Sequence, residues 1–114
     1  MAGEKGLLGG SIQLMLLALL SEKDFYGYQI IKELEKRSES VFQLKEGTLY
    51  PVLHRMQNQG LLNSYDQDTE NGKRRKYYRI TEKWRRQLVS EKEEWRSFTA
   101  SVNRVIGGSL YAGA

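Results

Sequence analysis

Residues 46–81 read EGTLYPVLHRMQNQGLLNSYDQDTENGKRRKYYRIT, and their pattern changes from helical to extended part of the way along. Over about residues 46–59, apolar side chains recur at i, i+3, i+4 and i+7, which is the spacing of one buried helix face. These side chains are Leu49, Val52, Leu53 and Met56. Gly60 follows where a C-cap residue belongs. The first half of the stretch therefore predicts an amphipathic helix.

The second half of the stretch has the composition of a β-hairpin. Two strand-like runs, residues 61–67 and 74–81, are separated by a polar connection that contains Asn71-Gly72. That dipeptide favours the positive φ angles of hairpin turns. We therefore predict a two-stranded wing directly after the helix.

Two further helices are predicted before this stretch. The first carries an apolar stripe of Ile12, Met15, Leu16, Leu19 and Leu20. Leu14, Leu17 and Ala18 lie off that stripe, so the helix is apolar on a second face that a small three-helix domain cannot easily cover. Asp24 is predicted to cap the next helix. That helix would bury Ile30, Ile31 and Leu34.

A long last helix is predicted from its N-cap, Thr81, to about Ile106, where Gly107-Gly108 would end it. Its large apolar side chains follow alternating four- and three-residue steps, which make a heptad seam. The members of this seam are Trp84, Leu88, Trp95, Phe98, Val102 and Val105. We expect a second copy of the chain to cover the seam and the second face of the first helix. The alternative is that the last helix folds back onto the first helix of its own chain.

These elements predict a mainly α (α+β) fold, namely a winged helix-turn-helix with a long C-terminal dimerisation helix. At 114 residues, the chain is long enough for one such domain and one appended element. We assign residues 1–81 to the winged helix-turn-helix domain, 82–106 to the dimerisation helix and 107–114 to a loose tail.

The composition excludes several classes of function. Without cysteine the chain has no disulfide, no thiolate metal site and no cysteine nucleophile, and His54 is its only histidine. We find no constellation of acid, base and nucleophile, so we expect neither an enzyme nor a cofactor or metal. The longest apolar run, residues 7–20, is shorter than the roughly 20 residues of a membrane span. Residues 18–21 lack a signal-peptide cleavage site, so we expect a cytoplasmic protein with no membrane partner.

Positive charge is concentrated in one segment. Residues 71–86 contain eight basic side chains and one acidic side chain, a net charge of +7, so the remainder carries −3 of the total of +4. Such a concentrated patch is typical of a protein that binds a polyanion such as nucleic acid. The alternative is a solvated face that serves solubility, but such a face would more naturally mix both signs.

Three blocks of sequence occur in an order that is typical of one protein family. The block YGYQIIKEL at residues 26–34 resembles the second helix of that family. GTLYPVL at residues 47–53, with QGLL at residues 59–62, resembles its recognition helix, and KRRKYYRITE at residues 73–82 resembles its wing. Over residues 11–106 the chain is similar to the PadR family of bacterial transcriptional regulators. The similarity is to the short members with one C-terminal helix, which include multidrug-responsive repressors.

This resemblance implies a homodimeric repressor that binds an inverted-repeat operator in double-stranded DNA. It also implies a small aromatic or cationic effector that is held between two tryptophans at the dimer interface, and Trp95 stands where that tryptophan would be. The chain departs from the family pattern in two places. Trp84 replaces the usual glycine, which makes the junction of wing and last helix bulkier. Lys45-Glu46 replaces Ser-Pro, which weakens the N-cap of the recognition helix and adds a lysine that can reach phosphate.

In this interpretation the third helix enters the major groove and the wing reaches the DNA backbone or the adjacent minor groove. The candidate DNA-binding residues are Tyr28, Lys45, Thr48, Tyr50, His54, Arg55, Lys73, Arg74, Arg75 and Lys76. Arg55 is the best candidate for a bidentate contact with guanine, whereas the wing cations position the protein without reading sequence. His54 has an alternative interpretation as a surface residue without a ligand.

The same interpretation places an effector pocket in the dimer interface. The pocket residues would be Gln13, Leu14, Leu17, Trp95 and Phe98. The interface residues would be Leu14, Leu17, Leu88, Trp95, Phe98, Val102 and Val105. Ordinary dimer packing is the alternative role for Trp95, and it is compatible with a pocket on the two-fold axis.

A second function remains open from the sequence, namely a winged-helix module that binds protein and has no sequence-specific DNA binding. The two functions differ in their response to salt. A DNA-binding dimer loses affinity steeply as salt rises, because it releases counterions from the phosphates that it neutralises. A protein-binding module would show weak DNA affinity that does not depend on sequence.

Overall fold

The computed structural model describes the backbone of residues 2–113 and the side chains of residues 11–107. Four helices form: α1 (Ala2–Glu22), α2 (Gly27–Arg37), α3 (Glu46–Asn58) and α4 (Glu82–Gly113). Three strands form an antiparallel sheet in the order β1-β3-β2: β1 (Phe25–Tyr26), β2 (Leu62–Asp68) and β3 (Arg74–Ile80). The predicted winged helix-turn-helix with a long C-terminal helix is confirmed.

The first helix, α1, is buried along its predicted stripe and is partly buried on its second apolar face, where Leu14 and Ala18 have intermediate exposure. Leu16 and Leu20 on the predicted stripe are fully buried, and Leu17 on the second face is only 2% exposed. The first turns of α4 cover that second face, where Leu88 is 4% exposed and Trp84 packs against the core. Leu17 and Leu88, which we expected in an interface between copies, are therefore already buried by their own chain. No helix among the described residues is long and apolar enough to cross a membrane.

The second helix, α2, begins two residues later than the sequence indicated. Its N-cap is Tyr26, whose backbone N–H donates to the Oε1 atom of Gln29 at 3.1 Å. The prediction that Asp24 caps this helix is wrong, because the short strand β1 lies between Asp24 and the helix. The Asp24 carboxylate instead accepts hydrogen bonds from Tyr65 on β2 and Arg79 on β3.

The third helix, α3, ends in a Schellman motif that confirms the predicted role of Gly60. Gly60 has a φ of +79°, and its N–H donates to the carbonyl of Gln57 at 3.0 Å. The N–H of Leu61 donates to the carbonyl of Met56 at 2.9 Å, which completes the motif. The predicted inner face is buried at Leu49, Leu53 and Met56, and Val52 is partly buried. The C-terminal end of α3 is therefore fixed before the wing begins.

The wing hairpin, β2 and β3, follows the predicted segments to within one residue. Its turn is closed by a hydrogen bond from the N–H of Thr69 to the carbonyl of Lys73 at 2.8 Å. Gly72 has the positive φ, +80°, that the Asn-Gly pair predicted. Because neighbouring strand residues face opposite ways, Tyr78 is buried in the core while Tyr77 lies on the other face.

The last helix, α4, begins where the sequence predicted and extends further. The carbonyl of Thr81 accepts the N–H of Arg85 at 2.9 Å, while its hydroxyl donates to the carbonyl of Gly60 at 3.1 Å. The backbone leaves helical geometry at Gly107 (φ −179°, ψ 29°), as expected, but helix is assigned beyond this break to Gly113. The backbone of residues 108–113 is therefore helical, where the sequence predicted a loose tail over residues 107–114.

Candidate nucleic-acid interface

The outer face of α3 forms an open groove that contains most of the predicted base-reading residues. This groove, of about 620 Å³, is lined by Tyr50, Pro51, His54, Arg55, Asn58 and Gln59. Within the described part of the chain, the side chains of Thr48, His54 and Arg55 form no hydrogen bond or ion pair. Because the inner face of α3 is fixed in the core, these polar groups are held at the surface and are free to bind an external partner.

Asn58 and Gln59 are absent from the predicted set of DNA contacts. The signal that could have found Asn58 is its spacing, because it lies one helical turn after His54 and so projects from the same face. Gln59 is the C-cap residue of α3 and lies at the end of the groove. The candidate surface therefore extends over the full length of the helix.

Tyr50 is positioned by a close approach of α2 and α3. A Cβ atom at Gly27, the first residue of α2, would overlap the Tyr50 hydroxyl and ring, so the glycine makes room for the ring. Tyr78 lies nearby: burial, with a smaller contribution from Tyr50, raises the pKa of the Tyr78 hydroxyl. Tyr50 therefore packs its ring at the junction of two helices and the sheet while its side chain remains partly exposed.

Lys45 and Tyr28 lie at the N-terminal ends of α3 and α2. Lys45 is the N-cap residue of α3, and no side-chain hydrogen bond caps that helix, which is the consequence expected from the loss of the family's serine. The Lys45 side chain is exposed and forms no ion pair with a described residue. The Lys32 ammonium lies 5.5 Å from the centre of the exposed Tyr28 ring. Both of these candidate DNA-binding residues are therefore accessible.

The wing presents its four predicted cations to solvent. Arg74 pairs with Asp68 at 3.4 Å, but both side chains are 67% exposed, so the pair is weak. The Arg75 guanidinium lies 5.6 Å from the centre of the Tyr26 ring. Lys73 and Lys76 form no ion pair with the described residues. The wing therefore keeps most of its positive charge for an external polyanion.

Acidic side chains also occupy the wing tip. Asp66, Asp68 and Glu70 are all exposed, so the tip of the wing is solvated. Among the residues whose side chains are described, no three or more histidine, cysteine or acidic groups come together in a way that could hold a metal ion.

A second groove, between α1 and α4, brings together all five residues of the predicted effector pocket. It has a volume of about 430 Å³ and is lined by Gln13, Leu14, Leu17, Glu91, Glu94, Trp95 and Phe98. The Trp95 and Phe98 rings lie 6.2 Å apart with a 37° angle between their planes. Glu91 and Glu94 were missed, although each lies one helical turn before one of these rings. The groove therefore combines an aromatic wall with an acidic edge.

From Phe98, at the end of this groove, one face of α4 exposes a continuous set of apolar side chains. Its members are Phe98, Val102, Val105 and Ile106. Phe98 is 60% exposed and Val105 is 84% exposed, so the described chain does not cover them. Contiguous exposed apolar surface on a monomer is typical of an interaction site. Ile106 extends the predicted seam by one residue.

A three-helix body with an exposed polar helix and a cationic hairpin beside it defines the winged-helix class of transcriptional regulators. Residues 16–90 match the Transcriptional regulator PadR-like family. The chain belongs to this family, whose members are regulators of transcription and not enzymes.

Individual relatives agree with this assignment. Transcriptional regulator Rv3488 of Mycobacterium tuberculosis is 30% identical over 101 residues, which cover 89% of this chain and 88% of the relative. The crystal structure of a PadR-like transcriptional regulator from Bacillus cereus is similar with a TM-score of 0.78 and 31% identity, covering 90% of this chain and 97% of that one. A PadR family transcription regulator from Clostridium difficile is 38% identical with a TM-score of 0.73, covering 85% and 99%.

Proposed function

We propose that this regulator is a dimeric repressor that binds an inverted-repeat operator through α3 and the wing. The observation that carries the proposal is the set of unpaired polar and cationic side chains on two adjoining elements. Arg55 and His54 lie on α3, Lys73 and Lys76 lie on the wing, and α3 packs directly against β2 of the wing. One duplex can therefore contact both elements at once.

The two elements have different tasks in this proposal. Arg55 can donate two parallel hydrogen bonds to O6 and N7 of guanine, which distinguishes that base from the others by about 1–3 kcal/mol. The wing cations bind phosphates, which fix the orientation of the protein and carry little sequence information. Sequence preference therefore comes from α3, and much of the total affinity comes from the wing.

The second copy of the chain packs against the exposed apolar face of α4. Packing Phe98, Val102, Val105 and Ile106 against the same face of a partner removes from water an apolar surface that the single chain leaves exposed. A two-fold axis at this face relates the two α3 helices. Successive major grooves on one side of a duplex are about 34 Å apart, and the dimer would present its two helices at that separation.

Selection of bound fragments from the genome of the source organism tests the proposal. We expect one palindromic sequence to be enriched, and we expect the dimer to bind it more tightly than a random duplex of equal length. The logarithm of the binding constant should fall with the logarithm of salt concentration, with a slope of about −0.9 per phosphate contacted. Weak binding without sequence preference would contradict a repressor and favour the protein-binding module.

The groove between α1 and α4 supports a planar aromatic cation as the effector of this repressor. Trp95 and Phe98 offer ring faces for stacking, and Glu91 and Glu94 offer negative charge within the same groove. Titration of a planar cationic dye should quench tryptophan fluorescence, and most of the quenching should disappear in Trp95→Phe, which retains Trp84. An effector must also bind the DNA-free form more tightly if it is to release DNA. Absence of quenching at any soluble dye concentration would contradict this role.

A further inference from the structure

Three tyrosine rings form a row across the outer face of the wing sheet. The strand register places Tyr26 on β1 beside Tyr77 on β3, and Tyr77 beside Tyr65 on β2. Tyr65 and Tyr77 are stacked with ring centres 5.7 Å apart and an angle of 15° between planes. Tyr26 meets Tyr77 edge to face at 5.3 Å. The row therefore joins all three strands on the face opposite to the core, and aromatic pairs of this kind add stabilisation beyond area burial.

One end of the row is fixed to the helical body by Asp24. Its carboxylate accepts a hydrogen bond from the Tyr65 hydroxyl at 2.5 Å and pairs with Arg79 at 3.0 Å. The Arg79 guanidinium also lies 5.1 Å from the centre of the Tyr65 ring. Both hydrogen bonds have electrostatic consequences: the carboxylate raises the pKa of Tyr65 and the pKa of Arg79. Because Asp24 lies between α1 and β1, these contacts tie both strands of the wing to the end of α1.

The other end of the row supports a predicted DNA contact. The Arg75 guanidinium lies 5.6 Å from the centre of the Tyr26 ring, and Arg75 shares the outer face of β3 with Tyr77. A cation held over a ring loses part of its rotational freedom before it binds. Arg75 is thus connected to Asp24 through a continuous chain of ring contacts.

We propose that Asp24 is a positioning residue, which acts through Tyr65, Arg79 and the tyrosine row to hold Arg75 in the orientation that binds phosphate. The inference rests on the proposed DNA-binding function. Asp24 itself does not contact DNA. Its charge opposes the binding of a polyanion, so any favourable effect on DNA binding must come from the geometry that it imposes.

A pair of matched variants separates charge from geometry. Asp24→Ala and Asp66→Ala each remove one negative charge from the wing region, but Asp66 is exposed and forms no ion pair with a described residue. If charge alone mattered, both variants would bind the palindromic duplex more tightly than the unchanged chain. We expect Asp24→Ala to bind several-fold more weakly with a salt slope smaller by about 0.9, and Asp66→Ala to bind equally or more tightly.

Two further variants test whether the effect passes through Arg75. Tyr65→Phe keeps the stacked ring but removes the hydroxyl donor to Asp24, so it should weaken binding in the same direction and to a smaller extent. In the double variant Asp24→Ala/Arg75→Ala, the loss should be no greater than for Arg75→Ala alone, because the two residues act on one phosphate contact. Circular dichroism at the assay temperature confirms that each variant is folded.

The outcomes distinguish this inference from the proposed function. If the unchanged chain shows no salt-dependent preference for any duplex, the proposed function is wrong. If the unchanged chain binds its palindrome and Asp24→Ala binds as well as Asp66→Ala, the function stands and the positioning role is overturned. Additive losses in the double variant would also overturn it, because Asp24 and Arg75 would then act independently.

Discussion

The chain has two exposed helical faces that differ in what supports them. The outer face of α3 lies over an inner face whose residues Leu49, Leu53 and Met56 are fully buried. The second half of α4 has no such support, because none of its described residues after Leu88 is buried. The first face is polar and cationic, whereas the second is apolar at Phe98, Val102 and Val105.

This difference shows which parts of the function one chain can provide. The position of the α3 groove is set by the core of its own chain, so a single copy already presents the residues proposed to read bases. In the proposed dimer, the apolar face of α4 would gain its support from a partner, which would also set the distance between two α3 helices. Under this proposal, one copy would contact a half-site, and recognition of a full operator would need the contact between two α4 helices.

The largest effect is expected from a charge placed on the apolar face of α4. Val102→Glu would bury an unpaired carboxylate in the proposed dimer, at a cost of about 3 kcal/mol or an increase of about 150-fold in the dimer dissociation constant. Val89→Glu is the matched control, because Val89 is 69% exposed and lies off the apolar face, a quarter turn from Leu88. Sedimentation velocity measures the dimerisation of both variants. Equal dimerisation of the two variants would show that this face is not the interface.

A smaller effect, confined to sequence preference, is expected from Arg55 on the α3 face. Arg55→Ala should reduce the discrimination between the operator and a duplex with one changed guanine by about 1–3 kcal/mol, or about 5- to 150-fold. Arg104→Ala is the control, since Arg104 lies on α4 and contacts Ser101. Competition binding with the two duplexes measures the change. A loss that is equal on both duplexes would contradict base reading by Arg55.

A uniform and more modest effect is expected from the wing. Arg75→Ala should weaken binding to every duplex by a similar factor and reduce the magnitude of the salt slope by about 0.9, because one phosphate contact is lost. Arg96→Ala removes the same charge from α4, where Arg96 pairs with Glu93, and should leave the slope unchanged. Binding isotherms at several salt concentrations provide the measurement. A change in base preference without a change in slope would reverse the assigned roles.

Local patterns predicted the elements that depend on near neighbours in sequence. The apolar spacing of α3, the Schellman glycine at position 60 and the Asn-Gly turn each express rules that operate within a few residues, and all three are confirmed. The five pocket residues predicted from the family resemblance also lie in one groove, between α1 and α4. The prediction did not include Glu91 and Glu94, because the seam on α4 is defined by the spacing of apolar side chains alone.

Contacts between distant parts of the sequence account for the rest. Aspartate is a residue type that favours the N-cap of a helix, but the partners of Asp24, Tyr65 and Arg79, lie 41 and 55 residues further along the chain. Its role depends on the pairing of β1 with β3, which no local pattern in two residues can indicate. Likewise, the heptad spacing predicted that Leu88 is buried. The spacing could not distinguish burial against α1 of the same chain from burial against a partner.

The smallest expected effect lies in the helical body that supports α3, away from both exposed faces. Arg37 donates two hydrogen bonds to the Glu22 carboxylate, at 2.7 and 2.8 Å, and so joins the end of α1 to the end of α2. The hydrogen bond from Arg37 holds the pKa of Glu22 below its ordinary value of 4.5. A carboxylate whose pKa is lowered by folding stabilises the fold above its unfolded pKa, and this stabilisation is lost as pH falls through the folded pKa.

Glu22→Gln should therefore lower the melting temperature slightly at pH 7, and its difference from the unchanged chain should shrink as the pH falls below 4.5 and through the lowered pKa of Glu22. The effect is small because both side chains are about half exposed to solvent. Glu39→Gln is the control, since Glu39 is exposed and forms no ion pair with a described residue. Thermal denaturation over a series of pH values provides the measurement. A difference in melting temperature that stays constant with pH would show that the ion pair is not its source. Unchanged dimerisation and DNA affinity in Glu22→Gln would show that the contact between α1 and α2 can be altered independently of the exposed faces of α3 and α4.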